Sequence, residues 1–217
     1  MSKWWFTLFS QPFFLTPTHP LYLACPPLSQ FKSPFLPSEA ALHFIGPLQS
    51  NKVNGLVKNV PQLAVIESVS TIKLAKKISE AVKQTPARID PTSGQVVKKL
   101  EIYVQIDTSL EASKAGIAFN DDAAIAEIVN CIVNECSDTI VLGGLMTIGA
   151  PGDMSAFVKL RDVRDQLLLK YEGKGIDSLE LSMGMSGDYV EAIKEGATSV
   201  RVGSSIFGAR DYSKSKA

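Results

Sequence analysis

From residue 41 onward, short apolar runs alternate with stretches whose apolar positions recur at threes and fours. Six runs read as strands, at 43–45, 63–67, 100–106, 139–145, 179–183 and 199–202. Four longer stretches read as helices: 71–84 (with IKLAKKISEAVK), 121–135 (with DAAIAEIVNCIVNE), 153–170 and 186–195. Asp stands at or near the start of two of them, where its carboxylate can accept from unpaired first-turn amides. Alternating β and α of this kind predicts a parallel sheet covered by single-faced helices. Between 85 and 98, TPARIDPTSGQVVK has no period and carries Pro, Ser and Gly, which predicts an exposed loop.

The first forty residues follow neither period. They hold most of the aromatic residues and seven of the twelve prolines, with almost no charge. Gln11, Pro12, Pro17 and Pro20 interrupt what would be a signal-peptide core, and no run of about 20 apolar residues exists to span a membrane. The composition shift near Ala40 suggests an unstructured segment, or translated non-coding sequence from a faulty gene model. Pro12, Pro17, Pro20, Pro26 and Pro27 would remove ladder donors, so no paired strand is expected here. The chain therefore divides into the Pro- and aromatic-rich segment 1–40, a folded domain over 41–212 and a short tail over 213–217.

A chain of 217 residues with 45% hydrophobic content can bury one core, yet is short for a complete eight-unit barrel. Lys plus Arg and Asp plus Glu are both 22, so there is no basic field to draw nucleic acid or an anionic membrane. Cys131 and Cys136 lie five apart on a predicted helix with side chains pointing apart, and Cys25 is isolated. Neither a disulfide framework nor a metal-ligand spacing follows, and a reducing compartment is expected.

Candidate chemistry concentrates in 178–210, SLELSMGMSGDYVEAIKEGATSVRVGSSIFGAR. One strand stops at Gly184 and Ser186 opens a helix; the next strand breaks into Gly203, Ser204 and Ser205. Helix starts and Gly-rich turns leave amides unpaired, and two of them at neighbouring strand ends suit a dianionic phosphate. In (β/α)8 barrels that place lies after the last two strands. The alternative is that Ser186 is an N-cap and Gly203 a turn. Three further segments sit at predicted strand ends: HFIGPLQSNK from His43, QIDTSLEASKAGI from Gln105 and GGLMTIGAP from Gly143. His43 reads as a core histidine rather than an acid or base. Met183 reads as pocket lining or packing, and Lys114 as a phosphate partner or a solvated loop lysine.

Taken together, HFIGPLQSNK, VIESV, VQIDTSLEASKAG, GGLMTIG, LSMGMSGDYVEAI and VRVGSSIFGAR resemble the pyridoxal phosphate homeostasis protein family, whose fold is that of the alanine racemase N-terminal domain. The resemblance covers 42–210. It implies a (β/α)8 barrel that binds and supplies pyridoxal 5′-phosphate, with no assigned reaction. It further implies a phosphate held by Ser186, Gly187, Gly203 and Ser204, and Arg201 facing the pyridine nitrogen. Met183 and Lys114 complete the expected cofactor contacts, and no metal is expected. A guanidinium cannot give up its proton, so that nitrogen would stay unprotonated and the cofactor would be a weak electron sink.

The chain departs from that family at its start. The first strand with its Schiff-base lysine, and the strand ending in a Gly-Glu-Asn-Tyr-like segment, have no counterpart; upstream of His43 the lysines are Lys3 and Lys32. About six βα units remain of eight, so an incomplete barrel with two open sheet edges is expected. No catalytic residue is assigned. The expectation is a cytoplasmic monomer, with the mitochondrion as the alternative compartment, that binds the cofactor non-covalently and engages neither nucleic acid nor membrane. The alternatives are a racemase-like pyridoxal enzyme, another phosphate-binding barrel enzyme such as an aldolase, or a chain that does not fold.

Overall fold

A computed structural model describes residues 41–89, 91, 93, 94, 96, 98–110, 115–150 and 152–208, with backbone alone at 6–8, 13–15 and 207. Six strands run parallel and neighbour one another in chain order: β3 (Leu42–Phe44), β4 (Leu63–Val69), β5 (Leu100–Asp107), β7 (Ile140–Met146), β8 (Glu180–Met185) and β9 (Ser199–Arg201). These match the six predicted runs to within two residues at each end. A two-residue strand β6 (Ile117–Ala118) pairs with the end of β5. Because the order never reverses, every crossover helix can lie on one side of the sheet, as in a barrel and unlike a doubly wound fold.

The two faces of the sheet divide by parity. On β5, Leu100, Ile102, Val104 and Ile106 join one large core with the helices, whereas Tyr103 belongs to a small cluster with Ile45, Val65 and Met146. Burial on both faces makes such strands read as unbroken apolar runs. Helix α2 (Ile72–Lys83) begins where Thr71 Oγ1 accepts from the Leu74 amide (3.2 Å), and it buries Leu74, Ala75, Ile78, Ala81 and Val82. Helix α3 (Asp122–Asn130) begins where Asp121 Oδ1 accepts from the Ala124 amide (3.0 Å). Helix α4 (Ser155–Lys170) buries Phe157, Leu160, Val163 and Leu167 at the expected threes and fours. Among the described residues no helix is long and apolar enough to cross a membrane.

Four expectations are corrected. HFIGPLQSNK, whose polar residues after Gly46 read as a loop leaving the strand, does not run on as one: a 3-10 turn at Ser50–Lys52 leads into α1 (Val53–Asn59), which buries Val53, Leu56 and Val57. The segment after α2 is not wholly exposed, since a 3-10 turn at Pro86–Arg88 sinks Arg88, whose guanidinium donates to the carbonyls of Leu63 and Lys98. Two nitrogens of one side chain thus satisfy main-chain oxygens that a loop would otherwise strand, while Arg88 Nε is buried with no partner among the described residues. The predicted helix at 121–135 changes period at its end: Cys131–Glu135 is a π-helical turn closed by Cys136 N donating to Cys131 O (3.0 Å). A residue five ahead then comes into register, so the Cys136 thiol lies close enough to Cys131 to raise its pKa instead of pointing away.

The fourth concerns the N-terminal segment. Strands β1 (Phe6–Leu8) and β2 (Phe13–Leu15) form an antiparallel hairpin, and β2 pairs antiparallel with β3 at Phe14 and His43. Strand β1 in turn lies near β9, without a ladder between them among the described residues. The prolines do not prevent this, because Pro12 and Pro17 fall outside the three-residue strands and leave their ladder donors intact.

Two predictions follow from packing. Gly184, next to last in β8, has φ +89°, and a Cβ there would lie 2.6 Å from that of Ala192, so Gly184→Ala is expected to cost about 2–4 kcal/mol in denaturant unfolding. Burial, followed by the charge and hydrogen bond of Cys136, pushes the Cys131 thiol from 9.0 up to about 11. The unfolded chain then releases this proton at lower pH than the folded one, so the stability contribution is intact below pH 9 and declines between pH 9 and 11. Unfolding midpoints across that range check it, with Cys131→Ser as the flattened control.

Candidate anion site and buried polar interior

Parallel strands in chain order bring the C-terminal ends of β8 and β9 side by side. The residues that follow them converge on one atom: Ser186 Oγ accepts from the amides of Gly203 (3.0 Å) and Ser205 (3.3 Å). Two main-chain donors aimed at a single oxygen are the hydrogen-bonding half of an oxyanion site. Gly203 precedes the short helix α6 (Ser204–Phe207), and Ser204 is exposed at its first position. Gly187 follows Ser186, is exposed, and has open space around the position of a Cβ.

Ser186 is not a helix cap. Helix α5 spans Tyr189–Lys194, three residues later than predicted, with Asp188 before it. The Asp188 carboxylate accepts from the Met185 amide (2.6 Å) and its own amide donates to Met185 O (3.1 Å), closing a tight turn over 185–188. That turn takes Ser186 off the helix and presents its hydroxyl to β9.

Beneath this rim the inward face of the sheet carries a continuous polar chain. Arg201 on β9 is 2% exposed; Nη1 donates to Ser182 O and Ser182 Oγ (both 2.9 Å) and Nη2 donates to Thr147 O (2.6 Å). The Ser182 hydroxyl donates to Glu67 Oε2 (2.5 Å), and Glu67 Oε1 lies 2.6 Å from His43 Nδ1. Thr147 Oγ1 meets Thr108 Oγ1 at 2.9 Å. Glu67 and His43 are each 1% exposed and Ser182 is fully buried. The Tyr103 ring stands edge-on to His43, 6.1 Å between centroids at 87°. Burial pushes its phenol well above the usual range, and Glu67 and then Glu180 and Glu101 push it further. Burial lowers the Arg201 guanidinium, while the charges of Glu67 and Asp188 oppose that shift. Arg201 Nε is buried with no partner among the described residues.

Of the predicted site residues, Ser186, Gly187, Gly203 and Ser204 gather at the rim, and Arg201 lies inside it on β9. Met183 does not join them. Strand parity points Ser182 inward to Arg201, so Met183 faces the helices, fully buried in the large core. Lys114 lies outside the described residues. Thr108 and Thr147 lie in the strand-end segments QIDTSLEASKAGI and GGLMTIGAP, as expected, but Glu67 and Ser182 were missed; the one signal was a carboxylate in the middle of VIESV, a run otherwise fit for two-sided burial. His43 is a core histidine as expected, although its partner is a buried acid.

Residues 48–211 match the family described as alanine racemase, N-terminal domain. A protein of Caenorhabditis elegans named pyridoxal phosphate homeostasis protein is 41% identical over 176 residues, covering 78% of this chain and 66% of its own length. PipY of Synechococcus elongatus, solved with PLP bound, is 25% identical with a TM-score of 0.58, covering 82% of this chain and 74% of that one. Alanine racemase of Clostridium difficile shares the fold at 18% identity and a TM-score of 0.54, over 79% of this chain and 40% of the enzyme. The chain spans between three-fifths and two-thirds of the length of the curated relatives it matches. It belongs to the alanine racemase N-terminal domain family, and within that family it is more similar to proteins named pyridoxal phosphate homeostasis protein than to the racemase.

Proposed function

We propose that this chain binds pyridoxal 5′-phosphate without a covalent bond and serves cofactor homeostasis by holding and releasing it. The observation that carries the reading is the convergence of the Gly203 and Ser205 amides on Ser186 Oγ. A phosphoryl oxygen taking the place of that hydroxyl would receive both donors, and the freed Ser186 O–H could donate to a second oxygen. Gly187 and Ser204 flank this position. Arg201 supports the ring end: its Nε is a buried donor with no protein partner among the described residues, and it suits an unprotonated pyridine nitrogen. When bound, the cofactor supplies an electron sink, and a donor-only partner at its nitrogen keeps that sink weak. The similarity to proteins named for this homeostasis, and to PipY with PLP bound, points the same way.

The non-covalent part of the reading rests on sequence motif, by which no lysine of this chain matches the Schiff-base segment of the family it resembles. Lys159, which reaches the end of β5 from α4, gives its ammonium to Thr108 O (3.0 Å) and lies 5.0 Å from the centre of the Phe119 ring. The reading therefore has the chain bind without turning over, with residues 41–212 as the binding unit. The free, buried thiols of Cys131 and Cys136 support a reducing compartment such as the cytoplasm.

Titrating the purified chain with pyridoxal phosphate, pyridoxal, inorganic phosphate and sugar phosphates tests this. Pyridoxal phosphate is expected to bind at least about tenfold more tightly than pyridoxal, with inorganic phosphate competing. Ser205→Pro removes one amide in the first turn of α6, where proline is tolerated, and should weaken phosphate-bearing ligands by about tenfold while leaving pyridoxal unchanged. Equal affinity for pyridoxal, or tighter binding of sugar phosphates, contradicts the proposal. Racemisation of an amino acid above background contradicts its non-catalytic part.

A further inference from the structure

Four strands contribute one side chain each to an interior chain of hydrogen bonds, and its donor directions are forced. Arg201 can only donate, and an ionised Glu67 can only accept. Ser182 stands between them with a single proton, which goes to Glu67 Oε2 at 2.5 Å; its oxygen therefore receives Arg201 Nη1 at 2.9 Å. The second carboxylate oxygen is held by His43 at 2.6 Å, where Nδ1–H donates to the ionised carboxylate. No member can reverse without another losing its partner.

We propose that Glu67, acting through Ser182, is a positioning residue for Arg201 that sets the site's preference for a ligand with an unprotonated ring nitrogen. This rests on the reading of the preceding subsection. A guanidinium that is 2% exposed needs a compensating charge and fixed acceptors, or its pose and its burial are both costly. The carboxylate supplies the charge at one serine's remove. The acceptors commit Nη1 to Ser182 and Nη2 to Thr147 O, leaving Nε as the guanidinium nitrogen with no partner among the described residues. A direct Arg–Glu ion pair would consume donors on the guanidinium edge; the intervening hydroxyl lets the charge act without taking Nε. Neither Glu67 nor Ser182 need touch the ligand.

The test compares pyridoxal phosphate with its carbocyclic analogue, in which C–H replaces the ring nitrogen, by direct titration of the whole chain. The unaltered protein is expected to prefer pyridoxal phosphate by about tenfold or more, the discrimination a charged hydrogen bond provides. Arg201→Ala should abolish that preference. Glu67→Gln, which keeps an acceptor for Ser182 and removes the charge, should cut the preference to within about threefold of unity, with affinity for the analogue changed less than twofold. Ser182→Ala breaks the same chain and is read the same way if melting shows Glu67→Gln to be unfolded. Loss of affinity for both ligands by the same factor would make Glu67 a fold staple only and overturn the proposal. Failure of the unaltered protein to bind either ligand would overturn it together with the carrier reading, so the two failures are distinguishable.

Discussion

A parallel sheet wound in chain order must end all its strands at one rim, and everything functional in this protein depends on that constraint. It brings the turn after β8 against the turn after β9, although their nearest site residues, Ser186 and Gly203, are 17 positions apart. Neither turn is an anion site alone. The turn after β8 is held by Asp188 and offers an oxygen, whereas the turn after β9 offers two amides. Only their contact brings two amides onto one oxygen, the arrangement on which the proposed cradle rests.

The same winding gives the sheet a second buried face, opposite the main helix-packed core. That face is unusual in its chemistry: a guanidinium, a carboxylate and an imidazole are all nearly inaccessible, the imidazole bonded directly to the carboxylate and the carboxylate joined to the guanidinium through the Ser182 hydroxyl. Replacing such a network by apolar side chains of similar size is often neutral or stabilising, so its presence argues for a task beyond holding the strands. Strand β9 connects the two features, since Arg201 is two residues upstream of Gly203. The proposed ligand, anchored at the rim, would therefore extend toward a fixed, donor-only cation.

The repeating architecture was legible because two-sided burial writes itself as apolar runs and one-sided helices as threes and fours; β5 and α2 were placed within two residues on those grounds. What was not legible shares a cause. Ser186 fits an N-cap by residue type, and only the pairing of β8 with β9 decides that its oxygen serves another strand. Met183 stood in a motif next to Ser182, yet a period of two sends neighbours to opposite faces. Cys131 and Cys136 would diverge on an α-helix and meet only because the last turn is π. Proline content spoke against pairing near the N-terminus, but it restricts individual positions, and β1 and β2 lie between those. Helix α1 carries Val53, Leu56 and Val57 at helical spacing, a signal that Gly55 and the polar residues before it obscured.

The most direct measurement is an experimental structure of this chain with pyridoxal 5′-phosphate bound. A phosphoryl oxygen about 3 Å from both the Gly203 and Ser205 amides, in the place now held by Ser186 Oγ, is the expected result. Those amides still bonded to Ser186, with the cofactor seated elsewhere on the molecule, would contradict it.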